Sequence, residues 1–472
     1  MNYYIGIDLG TSSCKGILTD REGVVLAEHS VSYPVSTPHT NWSEQDPADW
    51  YKAAVEILTV LSKGKEAEVK GVGIAGQMHG LVMLDEQDEV IRPAILWNDG
   101  RSVAETAYLN GLGTLPTLTG NIAFPGFTAP KILWVKNNEP ENFARAKKIC
   151  LPKDYLAYKL TGVFSTEYSD AAGMLLLDVQ SKRWSPEMCA LCGITEAQLP
   201  ALYESYEATG KLKAELGLPN AILCAGAGDN AGAAVGTNTL REGDCSISLG
   251  TSGTIFLPCD EFNTECGTAL HNFAHANGKF HLMGCILSAA SCNKWWIRDI
   301  LDTSYGDPAE PKYGQTGVFF LPYLTGERCP HNDVNARGAF IGLSATTTRE
   351  DMDLAVLEGV AYALRDCVEA GGVTIDKAVL CGGGAVSHVW QTVIANILGA
   401  DIYLTETEQG PSMGGALLAM TACGEYETIY AAADATVKKT LAVKCDPELK
   451  AVYDKGYAVY KQIYPALQGM TK

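Results

Sequence analysis

Apolar residues run from Tyr3 to Ile7, break at the polar tip Asp8-Leu9-Gly10-Thr11-Ser12-Ser13, and resume from Gly16 to Leu18. Short apolar runs bounded by glycine and hydroxyl residues predict strand, tight turn, strand. The same pattern returns as Cys245 to Ile247, then Ser248-Leu249-Gly250-Thr251-Ser252-Gly253, then Thr254 to Leu257. Gly10 and Gly250 stand 240 residues apart, close to half of a 472-residue chain, so the repeat predicts two related halves. A third signal is Ala378-Val379-Leu380, followed by Cys381-Gly382-Gly383-Gly384-Ala385 and by apolar positions at Trp390, Val393, Ile394 and Ile397. It predicts a strand, a glycine turn and a helix with one apolar face. A helix is also expected through Leu354 to Gly359.

A chain of 472 residues exceeds what one core organises and predicts two domains around a cleft. The polar connection Thr239-Leu240-Arg241-Glu242-Gly243 suits a hinge, which gives domains 1–243 and 244–472. Hydrophobic residues are 47% and charged residues 19% of the chain, a composition that forms globular cores. The formal charge of −19, from 36 basic and 55 acidic residues, supplies no basic face for nucleic acid or an anionic membrane. It also repels a polyphosphate, so a phosphate site must supply backbone N–H groups, a lysine or a metal ion. Gly10, Thr11 and Ser12 in one tip and Gly250, Thr251 and Ser252 in the other supply amides and hydroxyls without cationic surface. The start, Met1-Asn2-Tyr3-Tyr4-Ile5-Gly6-Ile7-Asp8, lacks the features of a signal peptide, and no apolar run reaches the ~18 residues of a membrane helix. Fifteen cysteines, an odd and scattered number, suit a reducing compartment, so a cytoplasmic location is expected. Cys189 and Cys192 lie in a helix-like stretch with no second pair and read as core residues.

Duplicated phosphate tips of this kind resemble those of the actin, hexokinase and sugar-kinase superfamily. The glycine cluster at Gly383, Gly384 and Ala385 resembles that superfamily's adenosine loop. Over essentially the whole length the chain resembles the FGGY carbohydrate kinases. Phe124-Pro125-Gly126-Phe127-Thr128-Ala129-Pro130-Lys131-Ile132-Leu133-Trp134 is similar to the first family signature, and Gly338-Ala339-Phe340-Ile341-Gly342-Leu343 with the following helix to the second. The segments Gly76-Gln77-Met78-His79-Gly80, Leu96-Trp97-Asn98-Asp99, Leu151-Pro152-Lys153-Asp154-Tyr155 and Ser169-Asp170-Ala171-Ala172-Gly173 are similar to the members that act on D-xylulose. The resemblance implies an α/β fold of two actin-like, ribonuclease-H-like domains, mixed sheets flanked by helices about a cleft. It implies ATP and Mg²⁺ as cofactors, a sugar substrate, and by analogy a homodimer.

Asp229, in Gly226-Ala227-Gly228-Asp229-Asn230-Ala231-Gly232, is the implied catalytic base, with Asn230 beside it as a sugar ligand. At the start of a helix its carboxylate is expected to stay ionised, and an N-cap is the competing role. Gln77, Met78, His79 and Trp97 are the other implied sugar ligands, with a buried structural histidine as the alternative for His79. Asp8 is implied to hold the metal ion, against a purely local turn-closing hydrogen bond. Lys15 could neutralise phosphate charge or simply lie over the hairpin. Asn396 and the stretch Glu408 to Ala416 depart from the family pattern on the expected adenine side.

Together these imply in-line transfer of the γ-phosphoryl of ATP to the primary hydroxyl of a ketopentose, with lobe closure first. Ribulose, a hexonate or a polyol would use the same machinery. A sugar-independent ATPase would keep the tips but has no use for Gln77-Met78-His79-Gly80, and a non-catalytic sensor has no use for Asp8 and Asp229.

Overall fold

A computed structural model describes residues 2–264, 266–304, 307–406 and 409–470. Met1 and Glu408, which the sequence reading touches, lie outside the described residues. The chain divides into two compact units.

The first unit gathers 1–240, 272–280 and 409–437. Its sheet is built from β1 (Tyr3–Leu9), β2 (Ser13–Asp20), β3 (Val25–Ser32), β4 (Val69–Gly76), β5 (Ala208–Lys211) and β6 (Ile222–Cys224), in the order β5-β6-β4-β1-β2-β3. A short strand β7 (Ala227–Gly228) also pairs with β4. β1 and β2 form the expected hairpin, and both strands extend beyond their apolar runs because the sheet partners on either side continue the ladder. β4 lies parallel to β1, with Gly76 beside Leu9 and Ala75 beside Asp8.

Both faces of this sheet are covered, which is why β1 and β4 read as nearly unbroken apolar runs. Helix α1 (Pro47–Ser62) packs on β2 and β3, burying Trp50, Ile57 and Leu61. On β1 and β4 lies a helix from the far end of the sequence, Gly410–Ala422. Its approach is close enough that a Cβ on Gly6 would stand 1.8 Å from Ser412 O, and one on Gly73 2.0 Å from Gly415 O. The Pro411-Ser412-Met413 departure therefore lies in a helix seated on the first unit's sheet.

The second unit gathers 241–271, 281–408 and 438–472. Its strands β8 (Asp244–Leu249), β9 (Gly253–Cys259), β10 (Phe280–Ile286), β11 (Lys377–Cys381), β12 (Asp401–Thr405) and β13 (Lys439–Val443) take the order β10-β9-β8-β11-β12-β13. The hairpin β8-β9 next to the parallel strand β11 repeats the arrangement of β1-β2 next to β4. Thus the sequence repeat is a repeat of topology. Two helices of this unit pack together, Arg349–Gly371 and His388–Leu398. Asn396 is buried and structural: its Nδ2 donates to Thr392 O, and its Oδ1 accepts from Asp446 N–H.

Candidate active site

In the first unit the hairpin tip is closed by Gly10 N–H donating to Ser13 O at 3.0 Å. Buried neighbours grip its carbonyls. Tyr33 O–H donates to Gly10 O at 2.6 Å, and Gln45 Nε2 donates to Thr11 O at 2.6 Å. Gln77 is 2% exposed and spends its amide here, with Nε2 donating to Gly10 O at 3.4 Å and to Gln45 Oε1 at 3.2 Å. Thr11 Oγ1 donates to Gln77 Oε1 at 3.2 Å and accepts from Trp97 Nε1–H at 2.9 Å. The tip thus keeps one shape before any ligand arrives, while Ser12 stays exposed. Lys15 pairs with Glu28 at 3.4 Å.

Asp8 and Asp229 end up as neighbours because β1 and β7 flank β4 on either side. Asp8 is in register with Ala75, and Gly228, the residue before Asp229, with Gly76. The surrounding protein strips water from both carboxyls. Desolvation pushes Asp8 up to about 6, against the pull of the Lys15 ammonium. Asp229 goes up to about 7 through desolvation first and the charge of Asp8 second, opposed by the Asn230 N–H. The expectation that the helix would hold Asp229 ionised thus meets a larger desolvation cost. Asp229 opens helix Asp229–Gly236, but the cap position belongs to Gly228 and no side chain caps it. The Asp229 Oδ1 instead accepts from Asn230 N–H at 2.7 Å and Asn230 Nδ2 at 3.0 Å.

The turn after β4 adds the remaining residues. Asn230 Nδ2 also lies 3.8 Å from Met78 Sδ. His79 adopts φ of 67°, the left-handed region that costs a side-chain-bearing residue about 1–2 kcal/mol. Its Nδ1 bonds Gly173 O at 2.8 Å, and since a carbonyl only accepts, Nδ1 carries the proton. The ring stacks on Phe127, centroids 4.5 Å apart. A Cβ on Gly173 would fall 2.5 Å from His79 Nδ1, so that glycine of the Ser169–Gly173 segment is needed for the ring's placement.

Lys153 and Asp154 of the Leu151–Tyr155 segment form a buried ion cluster with Glu167 and with Asp170 of the Ser169–Gly173 segment. Lys153 Nζ lies 2.9 Å from Asp154, 3.9 Å from Glu167 and 3.8 Å from Asp170. Burial works against the Lys153 ammonium, yet these carboxylates hold it charged. The cluster reaches the site through Ser169 Oγ, which donates to Glu167 Oε1 at 3.0 Å and accepts from Gly228 N–H at 3.1 Å.

In the second unit the tip of β8-β9 leaves Thr251 and Ser252 exposed. Gly250 O accepts from Ala290 N–H, and Thr251 O from Ala289 N–H and Ser291 Oγ–H. Because β8 and β11 are parallel neighbours, this tip and the loop from Gly382 leave from the same sheet edge. Gly383 is exposed with open space around it, whereas Gly384 and Ala385 are buried, Gly384 against Trp390 and Leu249.

The structure therefore brings Asp8, Gly10, Thr11, Gln77, Met78, His79, Trp97, Asp229 and Asn230 into one region of the first unit. It brings Gly250, Thr251, Ser252 and Gly383 to one edge of the second. Tyr33, Gln45, Phe127 and Lys131 were not read from the sequence as site residues. Lys131 and Phe127 fall inside the first signature, but nothing in sequence singles out Tyr33 or Gln45. Among the described residues no cluster of three or more His, Cys, Asp or Glu could hold a metal ion, and no helix is long and apolar enough to cross a membrane.

Residues 3–236 match the N-terminal domain and residues 245–423 the C-terminal domain of the FGGY family of carbohydrate kinases. The chain is 43% identical to a xylulose kinase of Escherichia coli K12, over 90% of this chain and 91% of that one. It is similar to the structure of a ligand-bound xylulose kinase from Lactobacillus acidophilus, with a TM-score of 0.93 and 27% identity over 100% and 99% of the two chains. It is equally similar to a gluconate kinase from that organism, with a TM-score of 0.93 and 26% identity over the same shares. With both halves matched in order, the chain belongs to the FGGY family of carbohydrate kinases.

Proposed function

We propose that the chain phosphorylates D-xylulose with ATP, giving D-xylulose 5-phosphate and ADP. The observation that carries this reading is the convergence of Asp229, Asn230, Met78 and His79 beside Asp8. Asp229 accepts the proton of the primary hydroxyl as the O–P bond to the γ-phosphorus forms and the bond to the bridging oxygen breaks, releasing ADP. Asn230 and the His79 ring hydrogen-bond the sugar hydroxyls, Met78 covers the carbon face, and Trp97 adds an aromatic wall. Gly10, Thr11, Ser12, Gly250, Thr251 and Ser252 offer amides and hydroxyls to the phosphates. Gly383, Gly384 and Ala385 bound the adenosine, and Lys15 is a secondary phosphate contact.

Mg²⁺ fits this donor set. The crowding of Asp229 by the Asp8 charge is the situation a divalent cation relieves, and a site with one or two carboxylates leaves room for phosphate oxygens and water. Asp8 would hold the ion, which when bound neutralises charge on the β- and γ-phosphates. Fifteen cysteines, an odd and scattered number, support a reducing, cytoplasmic setting.

The test is ADP production with Mg-ATP against D-xylulose, L- and D-ribulose, glycerol, D-gluconate and no sugar, beside Asp229→Ala. The gluconate arm matters because the same fold serves a gluconate kinase. D-xylulose leading, with a silent variant, is the expected result. Another sugar leading overturns the substrate, and ADP formed without sugar preference overturns the kinase reading.

A further inference from the structure

Lys131 lies in the first signature, in helix Thr128–Asn138, and is 0% exposed. Both of its hydrogen-bond acceptors are backbone carbonyls, Gly126 O at 2.7 Å and His79 O at 3.0 Å. Thr128 Oγ1, one helical turn away, donates to the same His79 oxygen at 3.0 Å. Burial lowers the lysine's affinity for its proton, Asp99 opposes this, and Arg101 adds to it. Charged or neutral, the amine has the two N–H donors that these carbonyls take up. Among the described residues no carboxylate hydrogen-bonds this ammonium, and burying a lysine on backbone carbonyls alone is costly.

What the two donors hold is the one residue of the sugar-side turn in a left-handed conformation. His79, at φ of 67°, would relax toward ordinary backbone if its carbonyl were released. That relaxation would turn the ring away from Phe127 and from Gly173 O. We infer that Lys131, assisted by Thr128, is a positioning residue for sugar binding: it fixes the His79 carbonyl and through it the direction of the imidazole.

This rests on the reading of His79 as a sugar ligand, so His79→Ala is measured first with D-xylulose and ATP each varied. If its KM for D-xylulose equals that of the wild type, the parent reading fails and the inference with it. If that KM rises, Lys131→Met is expected to raise it too, by about tenfold, with the KM for ATP unchanged. In the His79→Ala background Lys131→Met is expected to add nothing, because the two residues act as one unit. A Lys131→Met enzyme with a wild-type sugar KM, or one whose effect multiplies fully with that of His79→Ala, overturns the inference and leaves the parent reading standing. Should Lys131→Met not fold, Thr128→Val removes the other donor to the same oxygen. A severalfold rise in sugar KM alone supports the inference, and an unchanged one overturns it.

Discussion

The indole N–H of Trp97 donates to Thr11 Oγ1 at 2.9 Å, joining the turn that carries Trp97 to the β1-β2 hairpin. Thr11 passes the connection to Gln77 through a second bond of 3.2 Å. The Trp97 ring is 48% exposed, so the bond orients a ring that packing alone leaves loose. Trp97→Phe keeps the aromatic surface and deletes the donor. It should lower kcat/KM for D-xylulose about fivefold, the worth of a hydrogen bond on the order of 1 kcal/mol. Steady-state kinetics with both substrates varied checks this, and an unchanged value removes the connection from function.

Asp229→Asn preserves the size of the side chain and an oxygen for the Asn230 contacts at 2.7 and 3.0 Å. Only the basicity goes. kcat should fall by about 10²–10⁴-fold, with sugar KM and melting temperature near those of the wild type. A variant that keeps a tenth or more of kcat would sink the assignment of the base.

Asp8 carries the other half-buried carboxyl of the pair. Asp8→Asn should raise the Mg²⁺ concentration for half-maximal rate by roughly 10–100-fold at saturating ATP. Relief of Asp229 from a neighbouring charge accompanies the change, so the variant is read from the metal titration and not from kcat alone. An unshifted Mg²⁺ curve would return Asp8 to a local role in the turn.

What could be read from the sequence was what depends on near neighbours. Glycine and hydroxyl punctuation marked both hairpins and the loop at Gly382–Ala385, and helix Asp229–Gly236 begins where the small residues suggested. Strand ends were read short: Gly16 to Leu18 proves to be Ser13–Asp20, since β1 and β3 pair along its whole length. The seating of Gly410–Ala422 on β1 and β4 was not legible. It depends on two sets of small residues some 340 to 410 positions apart, and each set alone reads only as helix or strand. Tyr33 and Gln45 were hidden for the same reason, as their bonds to the tip are tertiary.

Glu358 offers a test of the second unit that is independent of the chemistry. It is 4% exposed on helix Arg349–Gly371, and its Oε1 accepts from Gly314 N–H and Tyr453 O–H, each at 2.8 Å. Burial pushes its carboxyl up to about 7, with those two donors opposing. Since the folded state holds the proton more tightly than the unfolded one, this group's stabilisation is complete below about pH 4.5. It is lost as pH rises through 7. Glu358→Gln keeps an oxygen for both donors and has no proton to lose. The melting temperature of the variant should therefore match the wild type at about pH 4.5, exceed it increasingly up to about pH 7, and keep that margin above. The gap should correspond to a few kcal/mol at most. Asp366 and Glu327, also raised by burial, are common to both proteins and cancel in the difference. Parallel melting curves across this range would mean that Glu358 stays ionised in the fold, and that its two donors outweigh its burial.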